Sequence, residues 1–157
     1  MRFLAVLDTM WGGRAGNAPN FFAINQHNFS GKRLYRLTGE EPGCLWCTNV
    51  CPELVSGPEQ HGTPSVERLT TNLDRWQTSK VTDSEKRVYL VCGRVAQGVF
   101  DQITWPVGRT IYLPHPAARN WTNKALDRAA KFIQDGKHHM LLRIENGELM
   151  VNVLRGG

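Results

Sequence analysis

The stretch Arg87-Val88-Tyr89-Leu90-Val91-Cys92-Gly93-Arg94-Val95-Ala96 decides the fold. Its apolar run, 88–92, is too short for a buried helix and reads as a strand covered on both faces. Gly93 then lets the chain turn at once into a short helix near residues 95–100. A strand buried on both sides needs layers above and below it, so parallel partners and helices are expected on either side in the chain.

Working outward, the order of elements alternates. Upstream, Thr63 and Pro64 form a cap and first-turn proline, and Val66, Leu69, Leu73 and Trp76 follow at helical spacing, which predicts an amphipathic helix over 64–78. Residues 45–50 read as a second strand, and Ser30 as the N-cap of a helix over 32–37 that Gly39 ends. Residues 3–7 are a buried-type strand leading into a Gly-, Asn- and Pro-rich loop over 12–20. Downstream, residues 110–113 are a strand. Asn120 or Thr122 caps a helix to about residue 134, with Leu126, Ala129, Ala130 and Ile133 inward and Lys124, Arg128 and Lys131 on another face. Those cations are either a solvated face or phosphate contacts. Two strands, 140–145 and 148–154, flank Asn146-Gly147, a strong hairpin signal because both residues tolerate positive φ. The pattern predicts an α/β fold: a three-layer αβα sandwich with a mostly parallel central sheet, plus a C-terminal β-hairpin over about 139–155. One domain spanning 1–157 is expected.

In such sheets, ligands bind in the crevice outside the carboxyl ends of the strands. The loops expected there are 8–20, 49–52, 93–94 and 115–121. The last follows Tyr112-Leu113-Pro114-His115-Pro116-Ala117-Ala118-Arg119-Asn120-Trp121, where a strand opens into a rigid polar turn.

Composition narrows the function classes. The 157 residues are 41% hydrophobic and 21% charged, enough for a core. No apolar run reaches the roughly 18 to 20 residues of a membrane span, and the apolar segment near the start is broken by Asp8, so a cytoplasmic protein without a membrane partner is expected. The net charge of +5 suits a polyanionic partner such as DNA without requiring one. Cys44, Cys47 and Cys51 are close enough to converge on a metal or iron-sulfur cluster, but they lack a second paired half, because Cys92 stands alone in an apolar run. Reduced core thiols and no cofactor are the expectation.

Four stretches together resemble the uracil-DNA glycosylase superfamily, in the right order over residues 1 to about 136. His115-Pro116-Ala117-Ala118-Arg119 is similar to the family's His-Pro-Ser turn, and Thr48-Asn49-Val50-Cys51-Pro52 to its strand-end Thr-Asn segment. The segment 88–96 resembles the central strand, turn and helix. Phe22 followed by Ser30-Gly31-Lys32-Arg33-Leu34 resembles the aromatic that stacks on a flipped base before a Ser-Gly helix start. The resemblance implies excision of uracil or a modified pyrimidine from DNA by hydrolysis of the N-glycosidic bond. His115 would bond the base carbonyl, Asn49 would read the pyrimidine edge, and Phe21 or Phe22 would stack on its face.

The residue types suit that chemistry. An enzyme acting on a base within a duplex extrudes it, reads its edge by hydrogen bonds and its face by stacking. Asn49 offers donor and acceptor together, and a histidine donor at the base oxygen opposes the negative charge left on the departing base. A turn histidine bonded only to backbone is the other reading of His115. Arg119, Trp121, Lys124 and Arg94 are the candidate DNA contacts, by phosphate binding or by wedging the stack. The first motif departs from the family: Asp8-Thr9-Met10-Trp11-Gly12 matches cleanly at Gly12 alone, and Asp8 stands where the family has glycine. Asp8 is the candidate base or electrostatic partner of the developing cation, with Asn17 a weaker candidate for orienting water. The alternative is a catalytically inactive protein of this fold that binds DNA, a nucleotide, or a protein partner through the C-terminal hairpin.

Overall fold

The computed structural model describes residues 3–10, 22–54, 88–102, 109–135 and 139–154, with backbone alone for 8–10, 22–23 and 48–54. The helix expected over 64–78 and the loop residues Gly12, Asn17 and Phe21 lie outside the described residues.

The described elements run β1 (Phe3–Met10), β2 (Phe22–Ala23), α1 (Phe29–Thr38), β3 (Trp46–Leu54), β4 (Val88–Cys92), α2 (Arg94–Phe100), β5 (Arg109–Leu113), α3 (Asn123–Asp135), β6 (His139–Glu145) and β7 (Glu148–Leu154). They form one mixed α/β sheet in the order β2-β3-β1-β4-β5-β6-β7. The five strands from β3 to β6 are parallel, and β2 and β7 pair antiparallel at the two edges. Asn146 and Gly147, both at positive φ, join β6 to β7.

Alternation along the strands sends side chains to two separate cores. Phe3, Ala5, Val88, Leu90, Cys92, Ile111 and Leu113 pack with Leu34 and Leu37 of α1 and Leu126, Ala129 and Ile133 of α3. Leu4, Val6, Tyr89 and Val91 face the other way, against Ala96, Val99 and Phe100 of α2. The chain advances in one direction across the sheet from β4 to β5 to β6, yet α2 and α3 stand on opposite faces. The two connections therefore have opposite hands, and the usual right-handed rule holds for one of them. On the face it takes, α3 packs directly against α1 and adds a bond from Arg128 Nη1 to the Leu149 carbonyl at 2.8 Å.

Several expected boundaries move. Strand β1 continues through Asp8 to Met10, and β3 through Pro52 to Leu54, so segments expected as loops are strand. Pairing between them carries both outward: Leu7 stands opposite Asn49 and Thr9 opposite Cys51. The register slips between Thr9 and Met10, opposite Pro52 and Glu53, and among the described residues β3 is an edge strand there, because β2 pairs at Trp46 and Cys47. An edge with a local irregularity is where a strand tolerates proline. Helix α1 starts earlier than expected: its cap is Asn28, whose Oδ1 accepts the Gly31 N–H at 2.6 Å, and not Ser30. Gly39, at φ 70°, ends it. Thr122 caps α3 by accepting the Ala125 N–H at 3.1 Å, and Ala125 takes the buried position expected of Ala130.

Candidate active site at the strand carboxyl ends

Register defines the site. Thr48, Val6, Val91 and Tyr112 lie on one rung across four adjacent strands. Asn49 is one residue beyond that rung on β3, Asp8 two beyond on β1, Gly93 two beyond on β4, and His115 three beyond on β5. Four expected positions from distant parts of the chain thus share one end of the sheet. Strands lie about 4.8 Å apart, so β3 and β5 are separated by roughly 14 Å. The backbone of Phe22 pairs with Cys47, two residues below Asn49.

The turn after β5 is held from several directions. The His115 carbonyl accepts the Ala118 N–H at 2.9 Å and the Trp121 indole N–H at 3.1 Å. Nη1 of Arg33, on α1, donates to both the Pro116 and the Ala118 carbonyls at 2.8 Å. Inside the turn, the Ala117 N–H is donated to His115 Nδ1 at 3.0 Å. A ring nitrogen that accepts cannot carry the proton, so this bond assigns the neutral imidazole its N–H at Nε2. Half-buried His115 is therefore built as a donor through Nε2.

The next strand end is anchored to the same turn. The Leu113 carbonyl accepts from the Gly93 N–H at 3.0 Å and from Gln97 Nε2 at 3.0 Å, tying α2 to the end of β5. Between α2 and β6 lies a groove of about 730 Å³, with His115 and Ala118 on its edge, Arg94 and Gln97 on one wall, and Leu141 and Arg143 on the other. Pockets of about 300–1,000 Å³ hold small organic ligands, so this one has room for a nucleotide. Arg94 and Arg143 are exposed cations on opposing walls, and Arg143 is only loosely paired with Glu145, at 3.8 Å.

Trp121 is corrected by its surroundings. Expected at the DNA surface, it is 6% exposed, belongs to the core under α3, and braces the turn through its indole N–H. Arg94, Arg119 and Lys124 are exposed, Arg119 on the turn itself and Lys124 near the β6–β7 turn. Arg33 and Gln97 were not singled out from the sequence. Their importance lies in backbone carbonyls more than 15 residues away, for which a single sequence carries no signal.

Among the described residues, no group of three His, Cys, Asp or Glu side chains stands close enough to hold a metal ion. Cys44 is exposed while Cys47 and Cys92 are buried, and the Cys51 side chain lies outside the described residues. Burial pushes the Cys47 thiol well above its ordinary range, so it stays protonated. No described helix is long and apolar enough to cross a membrane. No protein-family model matches the chain, and neither does any curated protein or solved structure.

Proposed function

We propose that the chain is a DNA glycosylase-like protein of the uracil-DNA glycosylase superfamily, which flips out uracil or a modified pyrimidine and hydrolyses its N-glycosidic bond. The observation that carries this reading is His115: a ring whose proton is assigned to Nε2 by the Ala117 N–H, set on a braced turn beside a nucleotide-sized groove. As the bond from sugar to base breaks, negative charge gathers on the base carbonyl, and a fixed N–H aimed there stabilises it. Removing one such donor elsewhere costs about 10²–10³ in rate. Asn49 would read the base edge, Phe21 or Phe22 would stack on its face, and Asp8 would face the positive charge left on the sugar. Gly12 and Asn17 would complete the pocket. Arg94 and Arg119 would hold phosphates, with Lys124 further out. The chemistry needs only water as co-reactant, so no cofactor enters the proposal. The fold that goes with it is a single domain, a three-layer αβα sandwich with β6 and β7 as an appended C-terminal hairpin, working on DNA in the cytoplasm.

The test is a panel of duplex and single-stranded oligonucleotides carrying uracil, hydroxymethyluracil and other altered pyrimidines, followed by alkaline cleavage at abasic sites. Strand breaks are expected with the native protein, about 10²–10³-fold slower in His115→Ala, and lost in Asp8→Asn. A second reading draws on the path of β1: Asp8 lies within the strand and not in a loop, unlike a residue placed to orient water. In that reading, the chain is catalytically inactive and binds DNA, a nucleotide or a protein partner. Salt-dependent duplex binding without any abasic product would favour it over the first.

A further inference from the structure

The peptide between Pro116 and Ala117 is gripped at both ends. Its carbonyl accepts from Arg33 Nη1 at 2.8 Å, and its N–H is the one donated to His115 Nδ1 at 3.0 Å. The same Nη1 bonds the Ala118 carbonyl, two peptides further on, at 2.8 Å, so a single guanidinium nitrogen spans the turn and holds the Pro116–Ala117 peptide in place. A cation on the carbonyl also polarises the amide, and hydrogen bonds in a chain strengthen one another. The peptide passes the effect of Arg33 to the ring.

We infer that Arg33 is a positioning residue that sets the tautomer and orientation of His115 through the Pro116–Ala117 peptide. Its bonds go to the carbonyls of the turn, so it is placed to act through the backbone. Its own position is set by α1: Phe29 lies one helical turn earlier, with the Arg33 guanidinium carbon 4.1 Å from its ring centroid. The helix start is seated in turn by Gly31, where a Cβ would come within 1.8 Å of the Asn25 carbonyl oxygen. The Ser-Gly helix start thus has a mechanical purpose here: it brings Arg33 against the His-Pro turn. A lysine could not substitute fully, because its ammonium is a more strongly hydrated point charge and has no flat group to stack over Phe29.

What His115 does in catalysis rests on the glycosylase reading; how it is held does not, and the experiment separates the two. The ring nitrogens of His115 are observed by long-range ¹H–¹⁵N correlation in the native protein, in Arg33→Met and in Arg33→Lys, with thermal melts of each. The native ring is expected to be held as the Nε2–H tautomer. Arg33→Met should give a mixture of tautomers and faster hydrogen exchange at the Ala117 amide, and Arg33→Lys should fall between. If excision is present, it should slow by on the order of 10- to 100-fold in Arg33→Met, mainly in kcat. An unchanged tautomer and unchanged Ala117 exchange in folded Arg33→Met overturns the inference. Should that variant fail to fold, the same two readouts on Arg33→Lys decide it. A tautomer shift in a protein that excises no base leaves the inference standing and removes the glycosylase reading.

Discussion

The two faces of the sheet are finished differently. One is covered by α1 and α3, which touch each other and bury residues contributed by β1 and β3 through β7. The other carries the seven-residue α2 over the middle strands, with Tyr89 and Phe100 in tilted ring contact at 5.9 Å. The groove beside His115 runs between the first turn of α2 and β6. Among the described residues, burial is concentrated on the first face, and the groove lies on the side of α2. Of the described residues, those under α1 and α3 should therefore contribute more to stability than those under α2.

The largest expected effect tests that division directly. Leu34 is fully buried between α1 and the sheet, so Leu34→Ala should destabilise by about 2–5 kcal/mol, from lost burial and the cavity left behind. Val99→Ala on the opposite face removes less apolar surface and should cost roughly 2 kcal/mol or less. Urea denaturation of both variants provides the measurement. Losses merely in proportion to the carbons removed would mean that the two faces contribute alike, and the division would fail.

Much of this arrangement was legible in the sequence, because strong local signals agreed with the global pattern. The run at 88–92 is strand because five apolar residues fit a position covered on both sides, and all five are buried. Gly39 stops α1 because its positive φ suits glycine. What escaped was set by partners remote in sequence. The polar residues Asp8 and Thr9 read as loop, but β3 holds them in register. Asn28 and Ser30 are equally good caps by residue type, and the Gly31 contact with Asn25 selects the first. His115 was singled out from its strand-to-turn setting, and it does lie on the turn after β5. Arg33 was not, since an arginine on an amphipathic helix looks like any solvated cation until a turn 83 residues away supplies its acceptors. Trp121 was misread for the same reason: an aromatic after a turn suits a surface wedge or a core plug, and only α3 folding back decides.

A smaller effect compares the two faces by titration. Cys47 belongs to the core under α1 and α3, and Tyr112 packs against the core under α2. Burial raises both above their ordinary values, with the Asp101 carboxylate also acting on Tyr112 through a 2.9 Å bond. Each is an acid kept neutral in the folded state, so its stabilising contribution is complete below its unfolded pKa. That contribution is lost as pH rises and the unfolded chain ionises. Stability should start to fall near the thiol range, about pH 8.5, at up to about 1.4 kcal/mol per pH unit for Cys47, with Tyr112 adding a second fall near pH 10. Denaturation midpoints from pH 7 to 11 should show the first fall reduced in Cys47→Ala and the second reduced in Tyr112→Phe. A first fall left unchanged by Cys47→Ala would assign it to another group.

The smallest effect separates the packing of α1 on α3 from the charges that decorate it. Arg36 on α1 reaches Asp127 on α3 at 2.6 Å and the Asn123 side-chain oxygen at 3.0 Å, a linkage that looks strong by distance. Its two ends are 40% and 66% exposed, so water and salt screen the attraction, and fixing two long side chains consumes much of what is left. If the α1–α3 contact is an apolar one, Arg36→Ala should shift stability by less than about 1 kcal/mol, and by less still in high salt. A loss comparable to that of Leu34→Ala would show that the helices are joined by their charged rim. The better-finished face of the sheet would then owe its stability to surface electrostatics and not to burial.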